Sequence, residues 1–307
     1  MLIEFQRKLM GDRGRNELFE AAIKRFVQPD RSVVLDIGAG TGFLSFLAAR
    51  LGAKRCHLVE HSEILGLARR LARANRIPNL EFHACHSTEL KTFPVDLIIS
   101  ETLGNHALEE DIVETMNDAL RFLRPGGKIS PMDLEQFVVP VIGEAHWRDV
   151  NVWDSVGYDL DYALAKDVAL SNLYVRRFEP QDLLGLSEAR SWDRLDFSKR
   201  NTLKREGVAK WKLGANATIY GYAIWWKSRL AEDVELSTAP DALRTHWDQV
   251  FLPLRSPLTA LKGDEVEVRL ACESTFRKGF WQTWATQWRR AGKVLAREDA
   301  STRNGRL

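Results

Sequence analysis

The sequence predicts two domains: an α/β domain with a parallel sheet, followed by a β-rich domain. In residues 1–131, short apolar runs alternate with longer amphipathic stretches, which is typical of βαβ units. In residues 132–307, runs rich in β-branched and aromatic residues predominate, and all ten tryptophans lie at or after Trp147. Because this change of composition is sharp, we place the domain boundary at residue 131.

In the first domain, a short N-terminal helix is expected to precede three strands. The strands are predicted at residues 33–36, 55–60 and 95–100, each followed by a loop or a helical pattern. Proline and glycine interrupt helices, so a helix is expected to end at Pro125-Gly126-Gly127 and to lead into a further strand.

In the second domain, β-rich runs cover residues 135–141, 217–226 and 265–271. Residues 153–186 have a helical pattern that interrupts them, which predicts a helical arm at about residues 150–190.

The C-terminal residues 277–307 hold eight basic and two acidic side chains, with tryptophans nearby. Aromatic residues among basic ones also occur in proteins that bind single-stranded nucleic acid. The favoured interpretation is a final β-hairpin that turns at residues 290–293, with Trp281, Trp284 and Trp288 packed in the core.

Composition argues against several classes of protein. The 307 residues include 44 basic and 42 acidic side chains, a formal charge of +2, whereas dedicated nucleic-acid binders usually have a strong basic excess. The cysteines (Cys56, Cys85 and Cys272) are odd in number and far apart, which disfavours a disulfide framework or a structural zinc site. No stretch approaches the ~18 apolar residues of a membrane span. We expect a cytoplasmic protein that does not contact membranes or nucleic acid.

A glycine loop at residues 34–42 is the sharpest local signal. A buried strand that carries Asp36 leads into Gly38, Gly40 and Gly42, and a helical pattern follows. Glycine permits positive φ and lets a ligand approach the backbone closely. A dinucleotide site would usually read G-x-G-x-x-G, whereas the spacing here is G-x-G-x-G.

This spacing resembles the first motif of the class I methyltransferases, which bind S-adenosylmethionine. Glu60 lies 18 residues after Gly42, at the end of the next predicted strand, where a carboxylate can accept both ribose hydroxyl protons. S-adenosylmethionine is therefore favoured over a nicotinamide or a flavin, and over a tight turn that binds no ligand.

Two carboxylates nine residues apart follow the strand at residues 95–100. Glu101 and Glu110 flank a glycine-containing loop at the sheet edge where open α/β folds bind ligands. Taken alone, Glu109, Glu110 and Asp111 could be acids that stabilise a helix start. The loop, however, resembles the "double-E" loop of the protein arginine methyltransferases, S-E-x-x-G with a second Glu nine positions after the first.

Three further segments, at residues 9–15, 153–159 and 245–249, are similar to that family. The first carries its Asp and Arg three residues apart, the second resembles the start of its helical dimerisation arm, and the third resembles its T-H-W loop. The resemblance runs in order from about residue 9 to about residue 275. It implies a divergent, bacterial-like member with a Rossmann-like methyltransferase domain, a β-barrel domain and a homodimer formed through the arm.

The resemblance also implies roles for individual residues. Arg15 would pair with the carboxylate of the cofactor, and Glu60 would hold its ribose. His86, Ser87 and Thr88 occupy the segment beside the adenine. The cofactor would be S-adenosylmethionine, giving S-adenosylhomocysteine as product, and no metal-ligand cluster is evident in the sequence.

The chemistry of a guanidinium explains the acid pair. A guanidinium is planar, stays protonated and is a poor nucleophile, and two carboxylates can grip its donors and fix its plane against the methyl group. Glu101 and Glu110 would form this clamp, with Glu101 also near the cofactor. Asp12 and His246 would form a His–Asp pair that accepts a proton, and Trp247 would contact the substrate.

Departures from the family leave the acceptor open. The family's Y-F-x-x-Y helix has no counterpart in the 14 residues before Arg15, and the double-E loop carries the polar residues Thr102, Asn105 and His106. We expect a methyltransferase for arginine in a protein or peptide, for free arginine, or for another guanidino compound. A different small-molecule acceptor and a non-catalytic scaffold are the alternatives.

Overall fold

The computed structural model describes residues 3–305 of the chain. The α-helices of this part are α1 (Ile3–Gly11), α2 (Arg13–Phe26), α3 (Phe43–Arg50), α4 (Ile64–Ala74), α5 (Ile112–Ala119), α6 (Glu144–Val150) and α7 (Ala163–Ala169). The strands of the first sheet are β1 (Val33–Ile37), β2 (Arg55–Val59), β3 (Leu80–His83), β4 (Val95–Ser100) and β5 (Leu123–Ser130). Those of the second half are β6 (Asp133–Val141), β7 (Tyr174–Arg176), β8 (Arg190–Asp196), β9 (Lys204–Lys212), β10 (Ala217–Ala231), β11 (Val234–Ser237), β12 (Gln249–Ala260), β13 (Glu265–Thr275), β14 (Gly279–Arg290) and β15 (Lys293–Ser301).

The first sheet is parallel and has the order β3-β2-β1-β4-β5. Its central strands are apolar because helices cover both faces, and Leu35, Leu58 and Ile98 are fully buried. Strands β2 and β3 lie on one side of β1, and β4 and β5 lie on the other, so the strand order reverses between β1 and β4. Ligands of open α/β sheets bind at such a switch point, beyond the carboxyl ends of the strands. This point brings together Gly38, which follows β1, and Glu101, which follows β4.

The second half consists of two antiparallel sheets that pack face to face as a barrel. One has the order β7-β12-β10-β6-β8, with β11 paired to β10, and the other has the order β15-β14-β13-β9. The rings of Trp211 and Tyr222, one from each sheet, lie 5.9 Å apart, and the indole of Trp284 donates to the carbonyl of Pro253 at 2.8 Å. The parallel sheet followed by an antiparallel barrel confirms the predicted fold class.

The predicted C-terminal hairpin is confirmed, and its tryptophans differ in burial. Strands β14 and β15 pair from Arg290 and Lys293 at the turn. Trp284 is buried in the barrel, whereas Trp281 and Trp288 are half-buried. The basic side chains of this segment therefore belong to a structured edge of the barrel sheet β15-β14-β13-β9.

The insertion into the barrel is less helical than the sequence predicts. Residues 153–186 contain α7, the short strand β7 and several 3₁₀ turns. Gly157, Tyr158 and Asp159 have consecutive positive φ values, which end any helix at this point. The apolar residues whose spacing predicts one longer helix are instead distributed over α7, β7 and the 3₁₀ turns.

The end of α5 also differs from the prediction. The helix stops at Ala119, a 3₁₀ turn follows, and β5 starts at Leu123. Leu123 is already paired with Val95 of β4, so the chain is extended before it reaches Pro125. A residue that precedes proline avoids the helical region, which favours this earlier change.

Candidate active site

A cavity of about 240 Å³ lies at the switch point of the parallel sheet. Its walls come from α1, the loop after β1, the ends of β2 and β4, the start of α5 and the tip of the β13–β14 turn. The two domains therefore both contribute to it.

The glycine loop forms the floor of the cavity. Gly38 and Gly40 have positive φ values of 75° and 53°. A Cβ atom on Gly38 would lie 2.7 Å from the side chain of Thr102, so only glycine fits there. The loop after β1 and the loop after β4 thus approach each other closely, which explains why the residue directly after β1 is a glycine.

Glu60 is buried beside this loop and lines the cavity. Its Oε2 accepts from the backbone N–H of Gly40 at 3.1 Å, and its Oε1 accepts from that of Ser62 at 2.8 Å. Because a carboxylate oxygen can accept more than one hydrogen bond, both oxygens can accept a further pair of hydroxyl protons.

Asp36 is also buried and lines the cavity, although its carboxylate already accepts hydrogen bonds from another residue of the protein. Its Oδ2 accepts from the backbone N–H and the hydroxyl of Ser45, at 3.1 and 2.7 Å. Burial raises the pKa of Asp36 to about 6, and the hydrogen bonds from Ser45 oppose the rise. Its contacts tie α3 to β1 beneath the glycine loop.

The segment predicted to lie beside the adenine reaches the cavity in part. His86 and Ser87 line it together with Cys85, whereas Thr88 does not. The ring of His86 lies 2.8 Å from the hydroxyl of Thr88. Its Nδ1 also accepts from the backbone N–H of Thr88 at 3.5 Å, which caps the 3₁₀ turn at Ser87–Glu89. Thr88 therefore positions His86 rather than facing the cavity.

Arg15 and Glu101 form a buried ion pair at one end of the cavity. The guanidinium Nη2 donates to Oε2 of Glu101, and both side chains are almost fully buried. The Nε atom of Arg15 is buried, and no described residue accepts a hydrogen bond from it. An unpaired buried donor is costly, so a ligand carboxylate at this position would complete the set of hydrogen bonds.

Glu110 lines the cavity, and its neighbour Glu109 does not. Burial, reinforced by the charges of Glu101, Glu109 and Asp111, raises the pKa of Glu110 to about 8. A cation bound beside Glu110 would lower this pKa, because it would stabilise the ionised carboxylate.

Glu109 packs inside the loop that joins the two acids. Backbone N–H groups of Asn105 and His106 donate to it, and burial raises its pKa. A Cβ atom on Gly104 would lie 2.2 Å from its carboxylate, which explains the glycine of this loop.

Asp12 and His246 come together although neither lines the cavity. Asp12 caps α2, since its Oδ1 accepts from the backbone N–H of Arg15 at 2.9 Å. Its Oδ2 lies 2.8 Å from Nδ1 of His246. Burial would raise the pKa of Asp12, but the hydrogen bonds from His246 and Arg15 outweigh it and lower the pKa.

The structure corrects the expectation that Trp247 contacts substrate. Its indole is 2% exposed, packs at 5.2 Å against Trp226 and donates to the carbonyl of Leu103 at 2.7 Å. Trp226 similarly donates to the carbonyl of Gly104 at 3.0 Å. The two tryptophans therefore hold the double-E loop in place from the barrel side.

His106, one of the polar residues of the double-E loop, lies in the interior of the protein. It is fully buried, and its Nε2 lies 3.0 Å from the amide oxygen of Gln282. Burial lowers its pKa to about 4, so the ring is neutral near pH 7. The role of His106 is to join the loop to the barrel.

Several cavity residues are not found by sequence reasoning. Helix α1 supplies one wall of the cavity through Phe5, Gln6, Leu9 and Met10. Their i, i+1, i+4, i+5 spacing is the signal that could have identified this face. The 14 residues before Arg15 thus do contain a helix over the cavity, with an aromatic residue at Phe5. Thr102 and Phe276 are two further lining residues that the sequence did not identify.

A cluster of three potential metal ligands (His57, Glu81 and His83) lies outside the cavity. Nδ1 of His57 is 3.1 Å from Nε2 of His83, and the ring centroids are 5.4 Å apart. The two nitrogens face each other directly, as in an N–H···N hydrogen bond. Burial lowers the pKa of both rings, which favours this neutral pair.

Two family models match the chain. One, described as a methyltransferase domain, matches residues 29–157, and the other, described as an arginine methyltransferase oligomerization subdomain, matches residues 135–279. With the glycine loop and the two-domain architecture, these matches define the class as a methyltransferase with a Rossmann-like domain and a barrel. The second match is specific to arginine methyltransferases, and the two matches together extend over residues 29–279, so the chain is similar to the protein arginine methyltransferase family in both halves.

Curated relatives agree with this family. The chain is 26% identical over 290 residues to the histone-arginine methyltransferase CARMER of Aedes aegypti, covering 90% of this chain and 49% of the relative. The protein of the same name from Drosophila willistoni is 26% identical, over 90% of this chain and 54% of the relative. The chain spans about half the length of these relatives.

Solved structures share the fold. The Trypanosoma brucei PRMT1 enzyme–prozyme heterotetrameric complex with AdoHcy superposes with a TM-score of 0.84 at 22% identity, covering 97% of each chain. Arabidopsis thaliana protein arginine methyltransferase 10 gives a TM-score of 0.80 at 19% identity, covering 98% of each chain. None of the helices between residues 3 and 305 has the length and apolarity needed to cross a membrane.

Proposed function

We propose that this chain is an S-adenosylmethionine-dependent N-methyltransferase that acts on an arginine or another guanidino group. One observation carries the proposal: Glu101 and Glu110 line the same cavity as Glu60, Arg15 and the glycine loop. Groups suited to a nucleoside and groups suited to a guanidinium thus meet in a single space. The names of the curated relatives, histone-arginine methyltransferases, support the same reaction.

The cofactor fits the residues present. Glu60 has acceptor capacity for the two ribose hydroxyls, and Gly38 and Gly40 leave the backbone accessible. The unpaired Nε of Arg15 suits the carboxylate of the cofactor. When bound, the cofactor supplies an electrophilic methyl group on its sulfonium. The same set of residues would retain the product, S-adenosylhomocysteine.

The acid pair would orient the acceptor. Glu101 and Glu110 would grip the guanidinium through charge-assisted hydrogen bonds and fix its plane. They would draw its positive charge toward the nitrogens that do not attack, which leaves more lone-pair character on the attacking nitrogen. Because Glu101 is held by Arg15, its carboxylate is positioned before the acceptor arrives.

His246 and Asp12 have a supporting role in this proposal. They join the T-H-W loop to the start of α2, which carries Arg15. The pair would accept the proton released from the guanidinium, directly or through water. No metal takes part in the proposed reaction.

We further propose that the chain forms a homodimer through the arm at about residues 150–190. Three apolar side chains of this segment are unusually exposed: Tyr158 at 90%, Leu164 at 85% and Leu160 at 59%. Exposed apolar groups concentrated on one excursion indicate a surface that another protein covers. The match to an oligomerization subdomain at residues 135–279 supports this assembly. The three free thiols suit a reducing compartment, and we propose the cytoplasm.

The proposal is tested by mass spectrometry with isotopically labelled S-adenosylmethionine. The purified chain is incubated separately with free arginine, an arginine-containing peptide and cell lysate, and Glu101→Gln serves as the control. Label on an arginine nitrogen in the wild type, absent in the control, supports the proposed reaction. Label on a different functional group would assign another acceptor, and cofactor binding without any transfer would favour a scaffold.

A further inference from the structure

Three aromatic rings from different elements meet at the rim of the cavity. The ring of Phe276, at the tip of the β13–β14 turn, lies 5.0 Å from that of His86 and 5.7 Å from that of His61. The two histidine rings are 6.4 Å apart. Phe276 comes from the barrel, whereas both histidines follow strands of the parallel sheet. We call this group the rim aromatics.

Hydrogen bonds to α5 fix the turn that carries Phe276. The backbone N–H of Phe276 donates to Oε2 of Glu114 at 2.9 Å. The hydroxyl of Ser274 donates to Oδ1 of Asp111 at the start of the same helix. Phe276 is therefore held over the cavity by the segment that follows Glu110.

Phe276 lines the cavity and is nevertheless 56% exposed. An apolar ring is stabilised when it is removed from water, and the two histidine rings cover only part of it. The rings of Phe276 and His86 touch each other, so a planar ligand would pack on their exposed surface rather than between them. The rim thus offers an uncovered aromatic surface inside a binding site.

The position of the rim aromatics indicates which part of a ligand they meet. His61 directly follows Glu60, and its Nδ1 is 3.8 Å from Oε1 of that carboxylate. If Glu60 holds the ribose, the base attached to the ribose lies close to His61. The ion pair of Arg15 and Glu101 lines the same cavity and suits the charged amino-acid portion of the cofactor.

We propose that Phe276 packs on the adenine ring of the cofactor, with His61 and His86 completing the contact, so that the barrel takes part in cofactor binding. This inference rests on the proposed function. A positively charged group of the acceptor, other than the methylated guanidinium, is less suited to this aromatic surface. The acids nearby that could attract such a group, Asp111 and Glu114, already accept hydrogen bonds from the β13–β14 turn.

The test is calorimetric titration of the full chain with S-adenosylhomocysteine. Phe276→Ala should bind about tenfold more weakly, since stacking of a base on an aromatic side chain is worth about this much. Phe276→Tyr keeps the ring and should restore most of the affinity. Arg277→Ala is the matched control, because Arg277 is the next residue, is exposed and does not line the cavity.

Two further measurements separate a contact from a folding defect. The ligand-free Phe276→Ala variant should unfold at the wild-type temperature, because the side chain is largely exposed. In turnover assays, its KM for S-adenosylmethionine should rise about tenfold while kcat stays unchanged.

Wild-type affinity in Phe276→Ala, failure of Phe276→Tyr to restore binding, or a rise confined to the KM of the acceptor would each overturn the inference. A wild-type chain that did not bind S-adenosylhomocysteine would refute the proposed function itself, and the inference with it.

Discussion

One carboxylate oxygen of Asp12 contacts His246 twice, across 234 residues of sequence. Oδ2 accepts from the backbone N–H of His246 at 2.7 Å and lies 2.8 Å from its ring Nδ1. The other oxygen of Asp12 caps α2. A single side chain thus joins the first domain to a loop of the barrel, and it places Arg15, on α2, relative to that loop.

Replacing Asp12 with asparagine should therefore destabilise the chain. One atom of the amide can still cap α2, but its NH₂ group would then face the N–H of His246. We expect a loss of about 1–3 kcal/mol in the free energy of unfolding, measured by urea titration at pH 7. Asp241→Asn is the control, since Asp241 is exposed. Equal stability of the two variants would contradict this role of Asp12.

The same contact predicts a pH effect. The pKa of Asp12 is lower in the folded chain than its usual value of 3.8. The unfolded chain therefore binds the proton first as the pH falls, and the stability due to Asp12 is lost as the pH drops through its folded pKa. Below about pH 4, wild type and Asp12→Asn should converge in melting temperature. A constant difference from pH 7 to pH 3 would show that the charge of Asp12 is unimportant.

Glu110 and Glu109 should differ in their effect on turnover. Glu110 lines the cavity, whereas Glu109 braces the loop by accepting backbone hydrogen bonds. Glu110→Gln should retain cofactor affinity and lose at least about 100-fold in kcat, because it removes charge from the guanidinium clamp. Glu109→Gln keeps an acceptor and should stay close to wild type. The reverse result in steady-state kinetics would mean that the second acid of the clamp is Glu109.

Cofactor affinity should depend on Glu60 and Arg15. Glu60→Ala and Arg15→Ala should each weaken S-adenosylmethionine binding by about 1.5–3 kcal/mol, the cost of losing a charged hydrogen bond. Calorimetry measures the change. Glu63→Ala is the control for Glu60, because Glu63 is exposed and lies outside the cavity. Wild-type affinity in both test variants would remove the basis for the cofactor assignment.

Local sequence patterns predicted the floor of the site. The strand before Gly38, the spacing to Glu60 and the strand before Glu101 each place a residue at the carboxyl edge of the sheet. Because the carboxyl ends of neighbouring parallel strands lie at the same edge of the sheet, these residues come close together. Their proximity therefore follows from secondary structure and topology. Asp12 and His246 are different, because only the family resemblance connects positions so far apart in sequence.

Side-chain direction is what the sequence could not supply. Trp247 and His106 lie in the predicted loops, yet both point into the interface between the domains. Trp247 finds its partner in Leu103 of the double-E loop, and His106 finds its partner in Gln282 of the barrel. Phe276 was missed for the same reason. Its local sequence predicts only an exposed turn, and the fold of two domains brings that turn to the cavity.

The arm offers a test of assembly. Leu164 is 85% exposed on α7, so a charge at this position should not disturb the fold of one chain. If the arm docks on a second subunit, Leu164→Glu should shift the protein from dimer to monomer in light scattering. Leu295→Glu is the control, since Leu295 is 46% exposed on β15, which is not part of the arm. A monomeric wild type would refute the proposed dimer.

The size of the acceptor can be judged from salt dependence. Recognition of a polybasic tail usually relies on an acidic surface, and such attraction weakens as ionic strength rises. The formal charge of +2, with eight basic and two acidic side chains in residues 277–307, favours a compact guanidino acceptor. We expect kcat/KM for free arginine to change little between low and high salt. A strong, salt-sensitive preference for an Arg-Gly-rich peptide would refute this expectation.

The pKa of Glu110, raised to about 8, links acceptor binding to pH. Near pH 7 the carboxyl is mostly protonated, and a guanidinium that binds to the ionised form must displace this proton. The KM for the acceptor should therefore fall by about tenfold per pH unit as the pH rises toward 8, and level off above it. The folded chain holds this proton more tightly than the unfolded chain, so the contribution of Glu110 to stability declines as the pH rises from about 4.5 to 8.

Glu110→Gln separates these two effects, because glutamine has a similar size and no charge. The variant should melt at a higher temperature than wild type at pH 9 and close to the wild-type temperature at pH 4, while its turnover is lost. The comparison uses thermal melts of the ligand-free proteins, with Glu114→Gln as a control at a carboxylate that also lines the cavity. A Glu110→Gln variant less stable than wild type at pH 9 would show that Glu110 is already ionised and stabilised by partners, and that the acid pair does not await a cation.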